Sequence, residues 1–170
     1  KQSEKVRAEL MKMIKDDKNK EYLDQIYYAI AKMDLAQEDS VLAIENFKLS
    51  AEKSEFNDEQ KARSFLELAK IYYVKSDYMN SSAFYDSTII FIDSEHKEYN
   101  QIKEKQLLLA ELAGYISTIN LQDSLQTLAG LSEGELNQVI NQLIAAEQKR
   151  ELEKQQQERQ RASQRFESNS

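Results

Sequence analysis

The chain has no cysteine, no proline and no tryptophan, and only three glycines (Gly114, Gly130, Gly134) and one histidine (His96) among its 170 residues. Without cysteine there are no disulfides, no thiol chemistry and no cysteine-ligated metal, although compartment stays open, because a protein of an oxidising space need not carry any. Without proline, and with almost no glycine, the residues that build tight turns and β-hairpins are missing, so helix is expected almost throughout. Long apolar runs are missing too. The longest, residues 107–116 with Glu111 inside it, falls far short of the roughly 20 residues that cross a bilayer. The length suits one structural unit at roughly 150 residues per domain. No signal peptide is visible, and the first residue is Lys1 rather than Met, which fits a segment cut from a longer protein.

The shortage of chemistry-bearing residues weighs against an enzyme. His96 stands in a polar connector with Asp93, Ser94, Glu95 and Lys97, and with no second histidine neither a nucleophile pair nor a transition-metal site can be assembled; it reads as an exposed loop residue. The three glycines are scattered and form no phosphate-cradling loop. Asp16 with Asp17, and Asp123 alone, lack the alternating oxygen ligands of a calcium loop. No catalytic residue, cofactor or metal is therefore expected.

Net charge is −7, unevenly spread. Residues 147–167 carry six basic side chains (Lys149, Arg150, Lys154, Arg159, Arg161, Arg165) and five acidic ones (Glu147, Glu151, Glu153, Glu158, Glu167). Taking these from the chain's 23 basic and 30 acidic residues leaves 17 against 25 in the body, a balance of −8. Such a body repels phosphate backbones, and nucleic acid is not an expected partner.

What is present is helical periodicity. Val6, Leu10, Met13 and Ile14 form one stripe, ended by the polar run Asp16, Asp17, Lys18, Asn19, Lys20; Leu23, Ile26, Tyr27, Ile30 and Met33 form the next. Asp39 or Ser40 can cap a third helix carrying Ala43, Ile44, Phe47 and Ala51. Asn57 opens a fourth, with Gln60 placed for a capping box and Ala62, Phe65, Ala69 and Tyr72 on one face. A fifth, after Lys75, Ser76 and Asp77, carries Ser81, Phe84, Tyr85, Thr88 and Ile89.

These helices repeat. Tyr27, Ile30, Ala31, Ala43 and Phe47 match Phe65, Leu68, Ala69, Ser81 and Tyr85 at a constant spacing of 38 residues. A large, a Leu-like and a small residue on one helix facing a small and an aromatic residue on the next is the pattern of a tetratricopeptide unit, although two unrelated hairpins of a helical bundle can also carry it. Small residues let the paired helices approach while the aromatics fill the wedge between neighbours. Asp34 departs from the pattern, which usually has tyrosine there, whereas Tyr72 fits. The spacing exceeds the usual period by about four residues, an excess assigned to residues 54–58.

The expected class is all-α, with tetratricopeptide-like helical-hairpin repeats, C-terminal capping helices and a polar helical tail. Residues 1–20 read as a helix completing a preceding repeat, 21–94 as two repeats, 95–146 as capping helices and 147–170 as a charged, Gln-rich tail, helical or disordered. Ile102, Leu109, Leu112, Ile116 and Ile119 mark a helix over 99–119 that can cover the last repeat. A short segment 124–131 follows, and then a helix opened by a Ser132–Glu135 capping box that buries Leu136, Val139, Ile140, Leu143 and Ile144. In the tail, Glu147 with Arg150, Glu151 with Lys154 and Glu158 with Arg161 are spaced for ion pairs.

In a stacked hairpin array the first helix of each unit lines the concave face. That places Gln25, Tyr28, Lys32 and Leu35 of one copy beside Arg63, Leu66, Lys70 and Tyr73 of the other, a candidate partner-binding surface of aromatic and basic residues. Replacing Tyr28 and Tyr73 together by Ala is expected to weaken partner binding without moving the helical melt. Glu67 would repel a terminal carboxylate, which disfavours recognition of a peptide's C-terminus.

Four segments carry a resemblance: residues 16–29 (DDKNKEYLDQIYYA), 61–72 (KARSFLELAKIY), 84–87 (FYDS) and 121–133 (LQDSLQTLAGLSE). They resemble the tetratricopeptide lipoproteins of the Bacteroidetes gliding-motility and type IX secretion machinery, the SprE/PorW family. The resemblance implies a periplasmic protein tethered to the outer membrane by a lipid anchor outside these residues. It also implies a non-catalytic scaffold between the outer-membrane translocon and other secretion-machine proteins. The alternative is an adaptor or chaperone-like module that holds an extended peptide in its concave groove.

Overall fold

The computed structural model describes residues 2–167, and the side chains of residues 4–160. Seven α-helices run through the described residues, with no strand among them: α1 (Gln2–Ile14), α2 (Leu23–Ala36), α3 (Ser40–Lys53), α4 (Asp58–Val74), α5 (Tyr78–Phe91), α6 (Tyr99–Ala129) and α7 (Glu133–Glu167). The polar run after α1 does not break the backbone into a loop. It forms a 3-10 segment, Asp17–Tyr22, whose Asp16 cap accepts from the Lys18 amide at 3.1 Å.

Two antiparallel pairs, α2 with α3 and α4 with α5, share the bonds of their connecting turns. Asp39 Oδ1 accepts from the Leu42 amide and Asp77 Oδ1 from the Asn80 amide, 38 residues on. Glu38 and Ser76, also 38 apart, both turn left-handed, at φ 62° and 59°. Each turn then returns the same bonds: Glu38 N to Leu35 O matches Ser76 N to Tyr73 O, and Asp39 N to Asp34 O matches Asp77 N to Tyr72 O. A left-handed residue usually calls for glycine; here two ordinary residues take it, held by the closed turn around them.

The small positions Ala31, Ala43, Ala69 and Ser81 are all fully buried, which is what allows the helices of each pair to approach. Ser81 keeps its hydroxyl satisfied by donating to the Ala69 carbonyl at 2.9 Å. Ala31, Ala43, Phe47, Leu68 and Ile71 form one core, and Ala69, Tyr85, Ile102 and Leu109 another. The first half of α6 thus lies over α4 and α5, tied further by Gln106 Nε2 donating to Asp86 Oδ1 at 2.7 Å.

Two buried carboxylates organise the joints. Asp24 accepts from the Gln25 amide (2.7 Å), Asn57 Nδ2 (2.9 Å) and Ser54 Oγ (3.4 Å), while Ser50 bridges from the Asp24 carbonyl to Ser64 on α4, at 2.7 Å to each. This cluster fastens α2, α3 and α4 together. It also explains why only half of the expected capping box forms. Asn57 Oδ1 accepts from the Gln60 amide at 3.1 Å, but the Gln60 side chain turns inward to Ser64. Asp34 is paired with Arg7 of α1 and accepts from Asn46 Nδ2 at 2.8 Å. The residue that departs from the repeat pattern is therefore the one that anchors the preceding helix.

The chain divides into two compact units, Lys1–Thr118 and Ile119–Ser170. In the second, the expected break over 124–131 shrinks to the turn at Gly130–Ser132, because α6 continues to Ala129. Ser124 and Thr127 donate back to the carbonyls of Asn120 and Asp123 and stay within the helix. Leu136 and Val139 are half-buried, but Ile140, Leu143 and Ile144 are exposed, contrary to expectation. The α7 stripe belongs to neither core. The tail is helical to Glu167. Glu147 and Arg150 pair at 3.3 Å and Lys149 with Glu153 at 3.8 Å, whereas the expected partner of Glu158, the Arg161 side chain, lies outside the described residues.

The cap at the start of α7 is the expected one. Glu135 Oε2 accepts from Ser132 N (2.9 Å) and Ser132 Oγ (2.6 Å), and these bonds hold the Glu135 carboxyl below its ordinary range. A carboxyl whose folded value is depressed stabilises the cap above its unfolded value and loses that contribution as pH falls through the folded one. We expect the Glu135 carboxyl carbon to titrate below the free-glutamate value of about 4.3, with the Ser132 amide shift following it. A midpoint at or above that value would contradict the cap.

Candidate functional site

The first unit carries a groove of about 890 Å³ along α4. Its floor comes from α4 residues one and two turns apart, Ala62, Leu66 and Lys70, with Arg63 and Glu67 beside them. One wall is Tyr28 of α2, and the other is the end of α5 and the connector after it, Phe91 to Asp93 and Glu95 to Glu98. Helical spacing brings the α4 residues to one side. The far wall is set by an aromatic ladder: Phe65 faces Phe91 at 5.9 Å and Phe84 at 6.1 Å, and Phe84 stacks on Tyr72 at 5.4 Å. Lys61 Nζ covers the Phe91 ring at 4.9 Å. This packing holds the start of the connector against α4.

Of the eight residues expected on a concave face, Tyr28, Arg63, Leu66 and Lys70 line the groove. Lys32 reaches it through an ion pair. Gln25, Leu35 and Tyr73 are not among its lining residues: Gln25 is exposed, Leu35 packs on the first core, and Tyr73 meets the Tyr78 ring at 5.9 Å with Lys105 Nζ 5.5 Å from its own ring. Tyr28 is half-buried, edge-on to Phe47 at 5.3 Å. Burial raises its phenol pKa, and the nearby Glu67 adds to the rise. Truncating Tyr28 therefore reaches the core as well as the groove.

Glu67, expected to repel a terminal carboxylate, is itself paired with lysines. It is 14% exposed and joins both lysines, Lys32 Nζ at 3.0 Å and Lys70 Nζ at 3.4 Å. Its carboxylate is thus matched twice over, and the three groups together carry one positive charge. Arg63 is held by Glu59 on the next turn. His96, expected exposed, is half-buried and lines the groove, its Nδ1 accepting from the Glu98 amide at 3.2 Å. With Nδ1 an acceptor, the neutral ring carries its proton on Nε2.

The connector wall was missed in the sequence, where the 93–97 stretch reads only as polar. The signal was the aromatic spacing Phe84 to Phe91 on α5, which seats Phe91 beside Phe65. Among the described residues no group of three or more His, Cys, Asp or Glu side chains could hold a metal ion, and no helix is long and apolar enough to cross a membrane. No family model matches the chain, and no curated protein matches it.

Proposed function

We propose that this chain is a non-catalytic protein–protein interaction scaffold, a tetratricopeptide-like array whose groove along α4 holds an extended segment of a partner. The observation that carries this is the groove itself. An open trough with an apolar floor, a flanking tyrosine and charged rims, built on paired helices that repeat every 38 residues, suits an extended chain better than a compact small molecule. The repeated turns support the tetratricopeptide reading of the two hairpins, and the first half of α6 suits the capping role expected of it.

The likeness of residues 16–29, 61–72, 84–87 and 121–133 to the SprE/PorW lipoproteins directs the proposal to the type IX secretion and gliding machinery. In that setting the chain links the outer-membrane translocon to other periplasmic components. The groove equally favours a second reading, an adaptor or chaperone-like module that binds extended peptides without any secretion machine.

Pull-down from a detergent-solubilised Bacteroidetes envelope separates them. The native chain should retain large membrane-associated proteins. Leu66→Ala, which removes part of the groove floor, should cut their recovery at least about tenfold, while Tyr73→Ala, off the groove lining, should leave it unchanged. Recovery of cytosolic proteins alone favours the adaptor. Equal recovery with all three baits sinks the groove as the binding site.

A further inference from the structure

We infer that the groove's occupant is a basic segment: an extended stretch of chain that places a large apolar side chain over Leu66 and lysine or arginine side chains against the connector end of α4. This rests on the groove reading proposed above and names the chemistry of the partner. The apolar anchor follows from the apolar lining, Ala62 and Leu66 of the floor with Phe91 and Ile92 of the far wall. The basic flank follows from charge. The groove's own cations are largely committed, Arg63 to Glu59 and Lys70, with Lys32, to Glu67. Asp58, Asp93, Glu95 and Glu98 also line it, and none of these four forms an ion pair among the described residues. Against them stands Lys97, with the His96 ring beside it.

The antiparallel course of α5 gathers these carboxylates. Phe91, at the C-terminal end of α5, is fixed beside Phe65 and Lys61, in the first half of α4. The connector that follows therefore brings Asp93, Glu95 and Glu98 to the same groove as Asp58 in the first turn of α4. A cleft lined by one sign of charge with apolar walls focuses its field and enriches segments of the opposite sign. An acidic segment would meet, at that end, four carboxylates that form no ion pair among the described residues and outnumber Lys97 beside them, and like charges across an interface discriminate strongly against a wrong partner.

Three short synthetic peptides, acetylated and amidated, test this by fluorescence anisotropy on the full chain. Each carries the same central Leu-Ser-Phe, flanked by Lys, by Gln or by Glu. The Lys peptide should bind roughly tenfold tighter than the Gln peptide, with the advantage shrinking as salt rises from 50 to about 300 mM, and the Glu peptide should bind weakest. The double variant Glu95→Lys/Glu98→Lys, two exposed positions, should reverse the order of the Lys and Glu peptides. If the Gln or Glu peptide binds as well as the Lys peptide, and Leu66→Ala weakens that binding, the basic occupant is overturned while the groove stands. If no peptide binds at any charge, both are overturned.

Discussion

Replacing Arg7 by Met should cost the fold about 3 to 5 kcal/mol, because it strands a carboxylate that is almost entirely out of water. Asp34 is 2% exposed and its two oxygens are taken by Arg7 and by Asn46. The Arg7 side chain is 30% exposed, so Asp34 is the partner that cannot recover solvent. α1 depends on this contact more than most helices would. Val6, Met11 and Met13 are exposed, leaving Leu10 and Ile14, each half-buried, as its apolar contribution. Urea denaturation followed by helical circular dichroism gives the loss, and hydrogen exchange should show the α1 amides losing protection first. The paired change Arg7→Met with Asp34→Leu should return stability to within about 1 kcal/mol of the native chain, since an apolar pair of similar volume needs no hydration to be replaced. A loss below about 1 kcal/mol in the single variant, or no recovery in the double, would show that the ion pair does not hold α1.

Asp34 also shows where a linear reading of the residues runs out. As a departure from the repeat pattern it looks like a weakness of the first hairpin, because its partner lies 27 residues upstream on a helix whose register the pattern does not fix. Features that depend on one helix and its neighbour were readable: the small positions Ala31, Ala43, Ala69 and Ser81, the caps Asp39, Asn57 and Ser132, and the 38-residue period all rest on local spacing. The groove was half readable for the same reason. Tyr28, Arg63, Leu66 and Lys70 follow from helical projection, but the connector wall depends on where α5 ends against α4. The double salt link of Lys32 and Lys70 to Glu67 needed a distance between α2 and α4 that only packing sets. The α7 stripe failed in the opposite way. Its periodicity promised burial for Ile140, Leu143 and Ile144, yet an apolar face buries only when some element lies against it, and periodicity does not supply that element.

Phe47→Ala and Tyr85→Ala should each cost about 3 to 5 kcal/mol, the range for emptying a fully buried aromatic site, but they should loosen different parts of the molecule. The two side chains hold equivalent places in the repeat and are 0% and 2% exposed. Phe47 packs with Ala31 and Ala43 of its own hairpin and with Leu68 and Ile71 of α4, so it fills the joint between the hairpins. Tyr85 packs with Ala69 and with Ile102 and Leu109, so it fills the joint between the second hairpin and α6. An array in which each unit rests on its neighbour loses cooperativity at the joint that is cut. Hydrogen exchange on Phe47→Ala should raise opening across α1 to α3, and on Tyr85→Ala across the first half of α6, with the untouched joint keeping its protection. The binding consequences should separate as well. The Tyr28 ring rests edge-on against Phe47, at 5.3 Å, so emptying that site removes the support of one groove wall and should weaken the Lys-flanked peptide by about tenfold or more even where the chain remains folded. Tyr85→Ala leaves the Tyr28–Phe47 contact and the Phe65–Phe91 contact untouched, although Leu66 also packs on the core that Tyr85 fills, and it should bind within about threefold of the native chain under the same folded conditions. If both variants unfolded in a single identical transition with the same exchange pattern, the two joints would form one cooperative core rather than successive ones.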